Sequence, residues 1–131
     1  MKYMNPVIPS LDLAKSLRFW TKGLGFKIID EIRRDENLVW CMLSGFGFYV
    51  QLHHRIGIDA SPENYEGIRM YWEPENLDDL HSNLVSLGFR PSEIVLREYG
   101  RREFSLIDID KFHHCFGVET EQAEPVVMGN G

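Results

Sequence analysis

The tripeptide Leu-Gly-Phe occurs twice in this chain, as Leu24-Gly25-Phe26 and Leu87-Gly88-Phe89, 63 positions apart. The match extends outward at the same offset, with Leu17 against Leu80 before it and Lys27 against Arg90 after it. A repeat of this length constrains the fold strongly, because each copy must be one supersecondary unit built on the same plan. In both copies a short extended run comes first, "NPVIPS" and then "GIRMYW". An amphipathic stretch follows. Leu13, Leu17, Trp20 and Leu24 recur at intervals of three and four, as do Leu77, Leu80, Leu84 and Leu87, which predicts helices over 13–23 and 77–87. Ser10 or Asp12 is placed to cap the first helix and Glu75 or Asn76 the second, while Gly25 and Gly88 stand where a left-handed residue ends a helix.

Three strand-like runs complete each copy: "FKIIDEIR", "LVWCML" and "FGFYVQLHH" in the first, "SEIVLRE", "REFSLID" and "HHCFGVE" in the second. The expected unit is β-α-β-β-β, used twice, with modules over about 3–54 and 66–119 of one domain spanning 1–119. "RIGIDASPENYE" reads as the connection and 120–131 as a polar, loosely held tail. Helices on one side of a mixed sheet make an α+β protein.

Composition narrows the partners. With 14 Lys+Arg against 20 Asp+Glu, the formal charge of −6 disfavours nucleic acid and anionic lipid. The two cysteines, Cys41 and Cys115, have no CxxC spacing, which favours a reducing compartment. "MKYMNPVIPS" lacks a signal-peptide core and no run approaches ~18 apolar residues, so the expectation is a cytoplasmic protein without a membrane span.

The tandem unit resembles the vicinal oxygen chelate superfamily, the glyoxalase/bleomycin-resistance/dioxygenase proteins. "PSLDLAKSLRFWTKGLGF" is similar to the superfamily's opening, and "YGRREFSLIDIDKFHHCFG" to the bleomycin-resistance branch, through Tyr99, Gly100, Arg102, Glu103, Phe104, Asp108 and Phe116. Ile109 stands where that branch usually has proline and Lys111 where it usually has glycine. The resemblance implies two βαβββ modules forming a curved mixed sheet with a concave cleft, in a homodimer whose clefts are shared between subunits. In metal-using members, four ligands come from the first and last strands of each repeat. The equivalent positions here are Asn5, Gln51, Arg69 and Cys115. Only Gln51 suits a hard metal, and Arg69 carries a fixed positive charge that repels one.

The histidine pairs His53-His54 and His113-His114 look like metal ligands, but neighbours on a strand point to opposite faces. His53 and His113 would share the cleft face, with His54 and His114 behind it. No phosphate loop or nucleophile elbow is present. Glu103 beside Arg102 reads as an ion pair at a strand end, and Asp108 and Asp110 as turn residues. The cleft set is therefore Tyr49, Gln51, His53, Arg69, Tyr71, His113 and Cys115, with Glu73 a possible addition and Trp40 and Trp72 as further aromatics that could equally be core. Aromatic rings beside a few polar groups suit a flat ligand. The reading is a protein without metal or other cofactor that sequesters a small aromatic or cationic compound such as an antibiotic. The alternatives are a lyase, isomerase or dioxygenase recruiting a metal through Gln51, His53, His113 or Cys115, and a protein that only scaffolds through its sheet.

Overall fold

A computed structural model describes residues 1–2, 4–55 and 67–120. The connection after Arg55 and the tail after Thr120 lie outside the described residues. Two compact units emerge, one of Met1–Glu66 with Asp108–Lys111, the other of Gly67–Ile107 with Phe112–Gly131. Each is a four-stranded mixed sheet with a helix.

In the first unit the elements are β1 (Val7–Ser10), α1 (Leu13–Arg18) continuing into a π-helical turn (Phe19–Gly23), β2 (Lys27–Arg34), β3 (Asn37–Gly45) and β4 (Phe48–His54). The sheet order is β1-β4-β3-β2, with β1 parallel to β4 and the rest antiparallel. Asp12 caps α1, its carboxylate accepting from the Lys15 amide at 3.2 Å. Ser10 sits two residues back and accepts the Asp12 amide instead. The π-turn brings Phe19 and Trp20 both into the core, at 1% and 0% exposure, which a regular helix would do less readily for adjacent residues. Ile8, Leu13, Cys41, Leu43, Val50 and Leu52 complete that core.

The second unit contains β5 (Arg69–Trp72), α2 (Leu77–Ser86), β6 (Val95–Leu96), β7 (Arg101–Ile107) and β8 (His113–Glu119), in sheet order β5-β8-β7-β6. Asn76 caps α2 by accepting the Asp79 amide at 2.9 Å, and Leu77 and Leu84 are its buried anchors. Both helices close through a left-handed glycine, Gly25 at φ +85° and Gly88 at φ +93°. The two ends differ by one residue: the Phe89 amide reaches back to Leu84, but the Phe26 amide reaches back to Trp20. The π-turn explains the difference. The first helical residues, Leu13 and Leu77, are 64 apart, and the closing glycines 63 apart, so the first helix holds one extra residue.

The expected strand "SEIVLRE" contracts to Val95–Leu96. Ser92 lies just ahead of it, its amide bonded to the Ser105 carbonyl at 2.8 Å. Its hydroxyl accepts the Ser105 amide at 2.9 Å, replacing a backbone ladder bond by a side-chain one. The turn Asp108–Lys111 also departs from its expected role. Asp108 caps the turn by accepting the Asp110 amide, but the Asp110 side chain turns inward and accepts from Ser16, whose hydroxyl also lies 2.5 Å from Ser10.

Candidate functional site

Strand register assigns every side chain to a face. In the first unit, the face away from the helix carries Val7, Gln51 and Met42 in one row and Pro9, His53 and Trp40 in the next, with Tyr49 beside Ser44. Trp40 thus lies on the same side as Gln51. Its indole N–H donates to Gln51 Oε1 at 2.9 Å, and Gln51 Nε2 donates to Asn5 Oδ1 at 2.8 Å. Both ends of the Gln51 amide are engaged. His53 accepts from Arg55 at Nδ1, and burial, then the charge of Arg55, depresses its pKa and keeps the ring neutral. His54 is exposed at the strand end.

In the second unit, the helix-free face carries Arg69, His113 and Ile107, then Tyr71, Cys115 and Ser105, then Gly117, Glu103 and Val95. Trp72 is on the other face. Its ring stacks on His114 and Phe116 with interplanar angles of 19° and 13°, and its N–H donates to His114 Nδ1 at 3.0 Å. Trp72 is therefore a partner of the fully buried His114, and the structure removes it from the set that shares a face with Tyr71 and Cys115.

Glu103 is the feature that sequence reasoning misjudged. It does not pair with Arg102, because neighbours on β7 face opposite ways. Arg102 instead grips Asp78 of α2 through two bonds of 3.0 and 2.9 Å. Glu103, only 4% exposed, accepts the Tyr71 hydroxyl on one oxygen and the Tyr99 hydroxyl on the other, both at 2.7 Å. Arg97 adds a longer contact of 3.4 Å. Burial pushes this carboxyl upward, but the three donors together hold it below the ordinary range, so it is an anion at neutral pH. Burial, followed by the bond to Glu103, raises the Tyr71 phenol; for Tyr99 the bond to Glu103 leads. Arg101 completes the cluster, donating to the Tyr71 oxygen at 2.8 Å and to Glu73 and the Gly117 carbonyl at 3.0 Å each. The Cys115 thiol is pushed up by burial and then by the nearby Glu103 charge, so it stays protonated and is a poor nucleophile. Counting in steps of two back from Glu103 would have brought Arg101 into the set; Tyr99 and Arg97 lie in the turn, where alternation gives no guide.

A recess of about 700 Å³, lined by Leu96, Arg97, Glu98 and Tyr99, opens at the turn between β6 and β7. Among the described residues no three His, Cys, Asp or Glu side chains come together as a metal-binding group. Of the four positions that the resemblance equates with metal ligands, Asn5 and Gln51 are bonded to each other, Arg69 carries a guanidinium, and Cys115 a thiol.

The model of the Glyoxalase/Bleomycin resistance protein/Dioxygenase superfamily matches residues 5–112. The chain belongs to this superfamily. The glyoxalase/bleomycin-resistance fold recurs in solved structures at low identity. TnmS3, an antibiotic binding protein from Streptomyces sp. CB03234, is 15% identical with a TM-score of 0.68, the match covering 92% of this chain and 98% of that one. A bleomycin resistance determinant encoded on the transposon Tn5 is 16% identical with a TM-score of 0.65, over 91% and 98%. A glyoxalase-related enzyme from Clostridium phytofermentans is 19% identical with a TM-score of 0.67, over 92% and 96%. At such identities the likeness establishes the fold. A comparison with curated proteins found no match.

Proposed function

We propose that this superfamily member binds and sequesters a small, partly aromatic compound without a metal and without making or breaking a bond. One observation carries the reading. Gln51 is the side chain at the ligand positions best suited to a hard metal, and its oxygen already accepts the Trp40 indole while its nitrogen donates to Asn5. Offering that oxygen to a cation would compete with the Trp40 bond and leave a half-buried indole N–H to be satisfied again, which is unfavourable. The same faces offer rings for stacking: Trp40 and Tyr49 in the first unit, Tyr71 and Tyr99 in the second. Antibiotic binding by TnmS3 and bleomycin resistance by the Tn5 determinant support a ligand of this kind.

The test combines metal analysis with a thermal-shift screen of bleomycin-type glycopeptides and aromatic antibiotics. The purified protein is expected to carry no stoichiometric transition metal, to show no glyoxalase activity with added zinc or nickel, and to melt higher with at least one compound. One tightly bound metal per chain, lost together with an activity in Gln51→Ala or His113→Ala, would overturn the reading in favour of a metal-dependent enzyme. A protein with no metal and no ligand-dependent shift would point to a scaffold.

A further inference from the structure

Tyr71 and Tyr99 combine exposed bodies with hydroxyls held in part-buried hydrogen bonds. The two residues are 53% and 62% exposed, yet both phenol protons go to one carboxylate that is 4% exposed. To reach Glu103 on β7, the Tyr71 side chain starts from β5 and crosses the intervening strand β8. It passes over Gly117, the residue paired with Glu103. A Cβ at position 117 would stand 2.3 Å from the Tyr71 hydroxyl oxygen and 2.9 Å from Glu103 Cγ, closer than such atoms approach. Any side chain at 117 would force Tyr71 or Glu103 off this path. Arg101 fixes the remaining side of the hydroxyl, donating to its oxygen while bound to the Gly117 carbonyl of the same crossing.

From this geometry we infer that Gly117 and Glu103 are positioning residues that turn the Tyr71 and Tyr99 hydroxyls into the sheet, so that this face presents ring carbon to a ligand. The ligand portion taken here is accordingly an apolar aromatic or aliphatic group, not one that seeks a phenol. The recess lined by Tyr99 offers open space beside it. This inference rests on the binding reading above for its ligand, but the positioning itself is measurable without one.

Slowly exchanging tyrosine hydroxyl protons report the positioning in proton NMR spectra of the whole chain. Two such signals are expected, assigned by their loss in Tyr71→Phe and Tyr99→Phe. Gly117→Ala should remove the Tyr71 signal and spare that of Tyr99; Glu103→Gln should remove or shift both. Should Gly117→Ala fold poorly, Tyr71→Phe in the same chain takes away the clashing oxygen and should restore part of the lost melting temperature. A Tyr71 signal that survives Gly117→Ala, or a double variant no more stable than Gly117→Ala, overturns the positioning role. For recognition the probe is 8-anilinonaphthalene-1-sulfonate, followed by calorimetry. Tyr71→Ala should weaken it at least several-fold, and Tyr71→Phe by a clearly smaller factor. Equal losses would mean that the hydroxyl is what is read, and no binding to the unaltered protein would refute the apolar subsite while leaving the NMR result to judge the positioning.

Discussion

At Lys111 the backbone enters the left-handed region, φ +72°, at the place where the bleomycin-resistance branch usually has glycine. A side chain there brings Cβ against the following carbonyl, at a cost of roughly 1–2 kcal/mol. Lys111→Gly should remove that cost and lose part of the gain to a freer unfolded chain, for a net stabilisation of about 0.5–1 kcal/mol in denaturant melts. A destabilised variant would mean that the lysine side chain makes a compensating contact. The substitution was visible in the sequence; what the backbone would do about it was not. Glu103 teaches the same lesson in reverse. Its charge suggested the adjacent Arg102, but on a strand the adjacent residue is the one it cannot reach. Trp72 could be placed on a face only through its pairing with Phe116, a long-range fact that periodicity does not carry.

The elements were largely legible because each has a local cause: leucines at helical spacing, caps at Asp12 and Asn76, glycines closing both helices. The failures are local too. The π-turn over Phe19–Gly23 is absent from any 3.6-residue pattern, although the one-residue mismatch between the two repeats was its trace. Ahead of the short strand β6, Ser92 supplies a hydroxyl where a backbone carbonyl was expected. Ser92→Ala would leave the Ser105 amide without that acceptor, and the cost should be about 1 kcal/mol, as for one partly exposed hydrogen bond. Hydrogen exchange provides the check. The Ser105 amide should lose protection while its neighbours on β7 keep theirs, and uniform loss along the strand would show that β6 holds more than this bond.

For the whole molecule, the buried carboxyl of Asp110 ties stability to pH. Burial raises its pKa from 3.8 to about 6 against the lowering effect of Ser16 and Ser10, with Asp108 and Asp12 adding repulsion. Below about pH 4 the carboxyl is protonated in both folded and unfolded chains, and its contribution is intact. Between there and pH 6 the unfolded chain ionises first, so stability falls as pH rises, reaching a loss of roughly 3 kcal/mol above that range. Asp110→Asn should therefore be more stable than the unaltered protein at pH 8 and lose the advantage near pH 4. A constant difference across that range would refute the assignment. Assembly belongs to this scale as well. Strand β2 is an edge exposed along its whole length, including Ile28, Ile29 and Ile32 at 40–54%, and such an edge invites pairing. A two-fold dimer is the expected state in light scattering, and a monomer mass at micromolar concentration would contradict it. The inward turn of Asp110 has one more consequence, in time rather than in space. The first unit includes residues 108–111, and its buried serines meet their carboxyl partner there. A ribosome delivers that partner some forty residues after the first unit's last strand has given way to β5. The N-terminal half must wait, incomplete, until most of the chain has been synthesised.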